Sequence, residues 1–257
     1  MLTTIPLLTA LIFSSVYPLC FWISARDPLK NKFHRFHLGL PNCVGGIAVV
    51  GLLFFNVSLT IKILAILWKM YFLFVSRQHW RKETMDVKQI TLPCLLGILV
   101  FIQVQSELIG PGLDKAFLGV LAGAILCASM YAMNLGHWYL NVHGLPLSHL
   151  VRAVYVFWVL VAIRFLWDVF ILLTVRVVHF GDSIPLYMFA QRLDGFLLLI
   201  GIFFGTVLPG ILLYYVWGTL QVKSTQSATG ILYVILTAVF MGDLAYKYYL
   251  LKFGLVL

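Results

Sequence analysis

Apolar residues run along this chain in long continuous blocks parted by short polar breaks. Blocks that can cross a bilayer need roughly 20 apolar residues each. Because the runs are continuous rather than alternating, they predict transmembrane helices and not a barrel. The blocks are Leu2 to Ile23, Leu38 to Ser76, Val87 to Val104, Phe117 to Tyr139, Val151 to Val175, Gly195 to Val216 and Gly230 to Leu250. Leu38 to Ser76 is too long for one ordinary span, and Asn56-Val57-Ser58 is its only polar break. A tight hairpin there gives two short spans and eight in all. Without it the count is seven, with an apolar helix along the surface. The expected fold is therefore an all-α polytopic transmembrane bundle of eight spans, or seven in the alternative, forming one integral membrane domain over residues 1–257. The apolar N-terminus has no basic leader and is read as the first span.

Smaller features refine this layout. Gly110-Pro111-Gly112 marks a turn, Pro209 marks a kink, and Ser227 is a candidate cap for the last helix. Gly119 with Gly123, and Gly201 with Gly205, have the small-residue spacing that lets helices approach closely. The segments Arg26 to Leu40, Arg77 to Lys88, Asn141 to Ser148 and Arg176 to Asp194 are expected as loops.

Composition supports immersion in lipid. Hydrophobic residues make up 62% of the chain and charged residues 11%, with a mean hydropathy of +0.99; soluble domains carry about 25% charged residues. The net charge of +9 lies mostly in short loops, which excludes a nucleic-acid surface and fits an anionic leaflet. With eight spans, one side collects Arg26, Lys30, Lys32, Arg35, Arg77, Arg81, Lys82, Lys88, Arg152 and Lys223. The other keeps Lys62, Lys115, Arg176, Arg192, Lys247 and Lys252. The positive-inside rule then puts both termini outside, in a bacterial-type cytoplasmic membrane. Cys20, Cys43, Cys94 and Cys127 lie singly and read as free thiols.

Chemistry is concentrated at a few positions. Arg164 and Asp168 stand one turn apart near the middle of Val151 to Val175, and Asp243 and Lys247 repeat that spacing in the last span with the signs reversed. A lone charge at mid-bilayer costs about 3 kcal/mol on insertion scales, so such groups face partners, water or a ligand. They predict either structural ion pairs or a proton path or ligand site between the two helices. His137, Trp138 and Tyr139 end a span with stacking surface and a titratable group at interface depth, which suits a quinone or lipid headgroup, or simply an aromatic belt. His34, His37, His79, His137, His143 and His149 gather on one side in the eight-span layout. No metal-ligand spacing joins them, and haem is not expected, since axial ligation needs two facing imidazoles within the bundle.

His37-Leu38-Gly39-Leu40-Pro41 resembles the HLGxP motif of the NrfD-like family, which includes the membrane anchor of dimethyl-sulfoxide-reductase-type enzymes. Gly242-Asp243 followed by Tyr248 and Tyr249 is similar to that family's C-terminal glycine-acid and aromatic pattern, with Asp243 in place of its usual Glu. The resemblance implies a haem-free membrane subunit that exchanges electrons and protons with a quinone. His37 and Asp243 would then make quinone contact and handle protons. The expected function is thus a quinone-interacting subunit of a redox complex, with lipids and redox subunits as partners. A secondary transporter or proton-coupled carrier is the alternative, with a lipid-modifying enzyme at the histidine-rich surface third and a purely structural anchor fourth.

Overall fold

The computed structural model describes residues 3–25, 29, 32–142 and 144–256. The described residues are all-α apart from one short hairpin, and the chain divides into two compact units, Met1–Cys127 and Ala128–Leu257. Among the described residues seven helical stretches are long and apolar enough to cross a membrane: Thr4–Ser24, Leu59–Trp80, Val87–Ile109, Leu113–Asn141, Ser148–Thr174, Phe196–Gln221 and Thr225–Phe253. The chain is an integral, multi-pass membrane protein. Its outward faces agree: Ile63, Leu67, Met70 and Phe74 are all exposed on one helix, which lipid tolerates and water does not.

The first unit is built around α1 (Thr4–Val16), its most deeply buried helix. Pro18 has no N–H to return to Ser14, and the chain tightens into a 3-10 helix over Tyr17–Ser24. α2 (Phe33–Leu52) and α4 (Val87–Ile109) flank α1, with glycines where its serines lie: a Cβ on Gly45 would sit 2.9 Å from Ser14 Oγ, and one on Gly97 would sit 2.5 Å from Ser15 Oγ. α3 (Leu59–Trp80) packs on both α2 and α4. Gly123 on α5 (Leu113–Asn141) leaves no room for a side chain over Ile12, so the first small-residue pair is a packing contact.

The break at Asn56-Val57-Ser58 is a real helix boundary, but the two helices it separates are not short. α2 is 20 residues and α3 is 22, so each is about 30 Å long. The Glu107 carboxylate accepts the Ser58 N–H at 3.0 Å and so caps α3. Lys62 Nζ closes the other side of the turn by donating to the Leu53 carbonyl at 3.1 Å. The segment expected as a loop to Leu40 is helical from Phe33, so His34, Arg35 and His37 lie in α2. His79, expected in the following loop, lies in the last turn of α3. Arg26 and Lys30 lie outside the described residues.

In the second unit α6 (Ser148–Thr174) carries the central charges. The segment after it, expected as plain loop, folds into β1 (Arg176–His179) and β2 (Asp182–Pro185), then α7 (Leu186–Ala190). Positive φ at Phe180 (53°) and Gly181 (89°) makes the two-residue turn that matches strand twist. The next span is interrupted: α8 (Phe196–Ile202) passes through a π-turn over Phe203–Val207 into α9 (Leu208–Gln221). Pro209 explains where. It cannot donate to Gly205 and its ring crowds that carbonyl, so the distortion falls in the turn before it. α10 (Thr225–Phe253) begins one step beyond Ser224, whose Oγ donates to Ser227 Oγ at 2.9 Å. Ser227 is therefore inside the helix and not its cap.

Candidate functional site

Arg164 and Asp168 share one face of α6, and both are only 1% exposed. Arg164 Nε stands 3.3 Å from Asp168 Oδ1, an ion pair without hydrogen-bond alignment. The guanidinium lies over the Tyr246 ring, 4.0 Å from its centroid. Tyr246 and Thr206 hydroxyls each reach Asp168 Oδ2 at 2.7 Å, and they stand 2.8 Å from each other. Asp168 therefore ties three elements together: its own helix, the π-turn and α10. Among the described residues Arg164 Nη1 and Nη2 have no hydrogen-bond partner, and Asp168 Oδ1 has only the ion pair.

Close packing of α10 on the interrupted helix sets this geometry. Gly205 and Gly242 meet backbone to backbone with no space for a Cβ on Gly242, and a Cβ on Gly201 would sit 2.8 Å from Ala245. The second small-residue pair is thus the seat of α10. Seating it there brings Tyr246, one turn beyond Gly242, against Thr206, the residue after Gly205. Thr206 and Tyr246 are the site residues that sequence reasoning missed. The signal available was indirect: a threonine beside a close-packing glycine, and a tyrosine between Asp243 and Lys247.

The second expected pair forms as well. Lys247 Nζ donates to Asp243 Oδ1 within α10, and both residues are buried. Lys247, expected within the last span, is an interior residue of α10.

In the first unit His37 is 2% exposed and pairs with Tyr17, whose hydroxyl lies 2.7 Å from Nδ1. Its ring is boxed by Phe33 at 4.0 Å, with Phe36, Tyr17 and Phe21 between 5.3 and 5.9 Å. The aromatic end of α5 is more open. His137 is exposed, its Nδ1 3.4 Å from the Tyr233 hydroxyl. Tyr139 donates to the Pro146 carbonyl, and Trp138 is half-buried. His149 is buried at the start of α6, and His143 lies outside the described residues. No group of three potential metal ligands is found among the described residues, where all four cysteines are free thiols.

Comparison with protein-family models, with curated proteins and with solved structures finds no match to this chain.

Proposed function

We propose that this protein is a proton-coupled membrane carrier in which Asp168 takes up and releases the coupled proton. One observation carries the reading: a buried acid–base pair on α6 is bonded to the point where the neighbouring span is interrupted. π-turns are frequent at functional sites, and interrupted spans are a recurring feature of transporter binding sites. The chemistry is specific at the atom level. Oδ2 is held by two hydroxyls, so a proton arrives at Oδ1, the oxygen that faces Arg164. Neutralising the carboxylate leaves both hydroxyl contacts possible but ends the ion pair. The guanidinium is then a buried cation that must find another anion or move.

Vesicles containing the purified protein and an internal pH-sensitive dye test the reading. Gluconate, lactate, phosphate and glycine are offered outside under an inward proton gradient. Wild type is expected to show solute-driven proton entry that Asp168→Asn lacks. Equal entry in wild type, variant and protein-free vesicles for every solute would refute it.

A quinone-interacting subunit of a redox complex, placed in a bacterial-type cytoplasmic membrane with further redox subunits, is the second reading. His37 favours it: a buried imidazole bonded to a phenol and enclosed by aromatic rings is a suitable neighbour for a quinone headgroup. Quinone recovered in stoichiometric amount with the gently solubilised protein would support this role, and its absence would count against it.

A further inference from the structure

We infer that the unpartnered Nη1 and Nη2 groups of Arg164 are the substrate site of the proposed carrier and that they bind a small monocarboxylate with an apolar body. The inference rests on the carrier reading and supplies its substrate class. Nη1 and Nη2 are two adjacent donor groups, buried and without acceptors among the described residues, held in place because the guanidinium is stacked on Tyr246. A buried donor left unpaired costs about 1–3 kcal/mol, and more when it is charged. Two unpaired donors on one guanidinium therefore point to an absent acceptor. The planar guanidinium edge matches the two oxygens of a carboxylate in a paired, parallel geometry.

Charge limits the ligand further. On α6 the charged neighbours of Asp168 are confined to Arg164; the π-turn brings Thr206, and α10 brings Tyr246 with the Asp243–Lys247 pair at its own i−3 and i+1 positions. Lys247 is already neutralised by Asp243, which leaves Arg164 as the cation with spare donors among these groups. One cation fits one negative charge. Apolar residues dominate the surroundings, with Ile171, Ile202 and Leu198 buried nearby in the same core as Tyr246, so the rest of the ligand is apolar.

Binding and protonation are then coupled. An anion on Arg164 beside an ionised Asp168 leaves one cation between two anions in a low-dielectric interior. Proton uptake at Asp168 Oδ1 removes the excess charge. What enters is, by stoichiometry, a carboxylic acid: its anion on Arg164, its proton on Asp168. No covalent bond other than O–H is made or broken.

Calorimetry with sodium propionate on the full-length protein in lipid nanodiscs tests this. Wild type is expected to bind saturably, with affinity falling roughly tenfold per pH unit wherever the free Asp168 is ionised, since one proton enters with each anion. Arg164→Gln should weaken binding at least tenfold. Asp168→Asn should bind propionate with no pH slope, which keeps the inference testable if Arg164→Gln fails to fold. Absence of saturable propionate binding, or a folded Arg164→Gln with wild-type affinity, would overturn it. A short-chain quinone that binds in an Arg164-dependent way where propionate does not would overturn it in favour of the redox reading. Arg164-dependent propionate binding without proton entry in vesicles would remove the carrier reading and leave the anion site standing.

Discussion

The Arg164–Asp168 pair invites a double-mutant cycle. Both side chains are 1% exposed, so each is desolvated and depends on the other. Removing one partner of a buried pair costs roughly 3–5 kcal/mol because the survivor is left as an uncompensated charge. In a membrane the unfolded reference also finds partners, which argues for the lower end, about 3 kcal/mol each for Arg164→Leu and Asp168→Leu. If the costs were independent, the double variant would lose about 6 kcal/mol. The structure argues otherwise. With both charges gone neither is left buried without its partner, and Thr206 and Tyr246, already 2.8 Å apart, can still bond each other. The double variant should therefore lose no more than about 3 kcal/mol, a coupling of at least about 3 kcal/mol. Reversible unfolding of the four proteins by sodium dodecyl sulfate in mixed micelles reads each stability. Costs that add to within about 0.5 kcal/mol would show that the two residues do not sense each other, and would undo the paired-charge account of this site.

Other expectations follow from single contacts. Thr206→Val keeps the shape but removes the hydroxyl from Asp168 and Tyr246, and should cost about 1–2 kcal/mol in the same assay. Gly242→Ala drives a Cβ into the Gly205 backbone, which cannot yield as a side chain would; a loss of about 1–3 kcal/mol is expected, while Gly218→Ala, with open space at its Cβ, should be nearly neutral. Trp68→Phe removes the 2.8 Å bond from the indole N–H to the Pro93 carbonyl, and thermal melting should report a loss of about 1 kcal/mol. Phe180 is 90% exposed at a φ of 53°, a conformation that suits asparagine far better; Phe180→Asn should raise the melting temperature of the second unit by reducing a strain of about 1 kcal/mol.

Long-range hydropathy made the spans legible, because a block of apolar residues long enough to cross lipid has few other uses. The i, i+4 charge pairs were legible too, since both members lie on one helix and depend on nothing beyond its 3.6-residue period. What escaped was set by neighbours. α2 starts at Phe33, not Leu38, although its first turn reads as a polar loop: His34, Arg35 and His37 are polar by type, yet His34 and His37 are enclosed. His34 Nε2 donates to the His79 carbonyl, 3.0 Å away and 45 residues on, a contact no local pattern announces. The β-hairpin escaped because its turn uses Phe180 where glycine or asparagine is the usual sign. Thr206 and Tyr246 escaped because their role exists only once Gly205 and Gly242 are in contact.

That last dependence bears on how the site could work. Asp168 holds the π-turn through Thr206 and holds α10 through Tyr246, so three helical elements share one carboxylate. Two hydroxyl hydrogens serve three oxygen–oxygen contacts in this triangle, so one contact is always without a hydrogen while Asp168 is ionised. A proton at Oδ1 adds no hydrogen to the triangle, but it makes Oδ2 a weaker acceptor for both hydroxyls and simultaneously releases Arg164. The π-turn already lacks the regular helical bond at Gly205, because Pro209 cannot supply it, and can change register with less loss than an intact helix. A change at one atom, Asp168 Oδ1, is thereby placed against the segment of the bundle least committed to a single backbone arrangement. Substituting Pro209→Ala restores the missing donor. It should convert the π-turn towards regular helix, raise stability by up to about 1 kcal/mol, and slow any proton entry that depends on Asp168. Faster entry in that variant would mean that the interruption is an accident of sequence and not a working part.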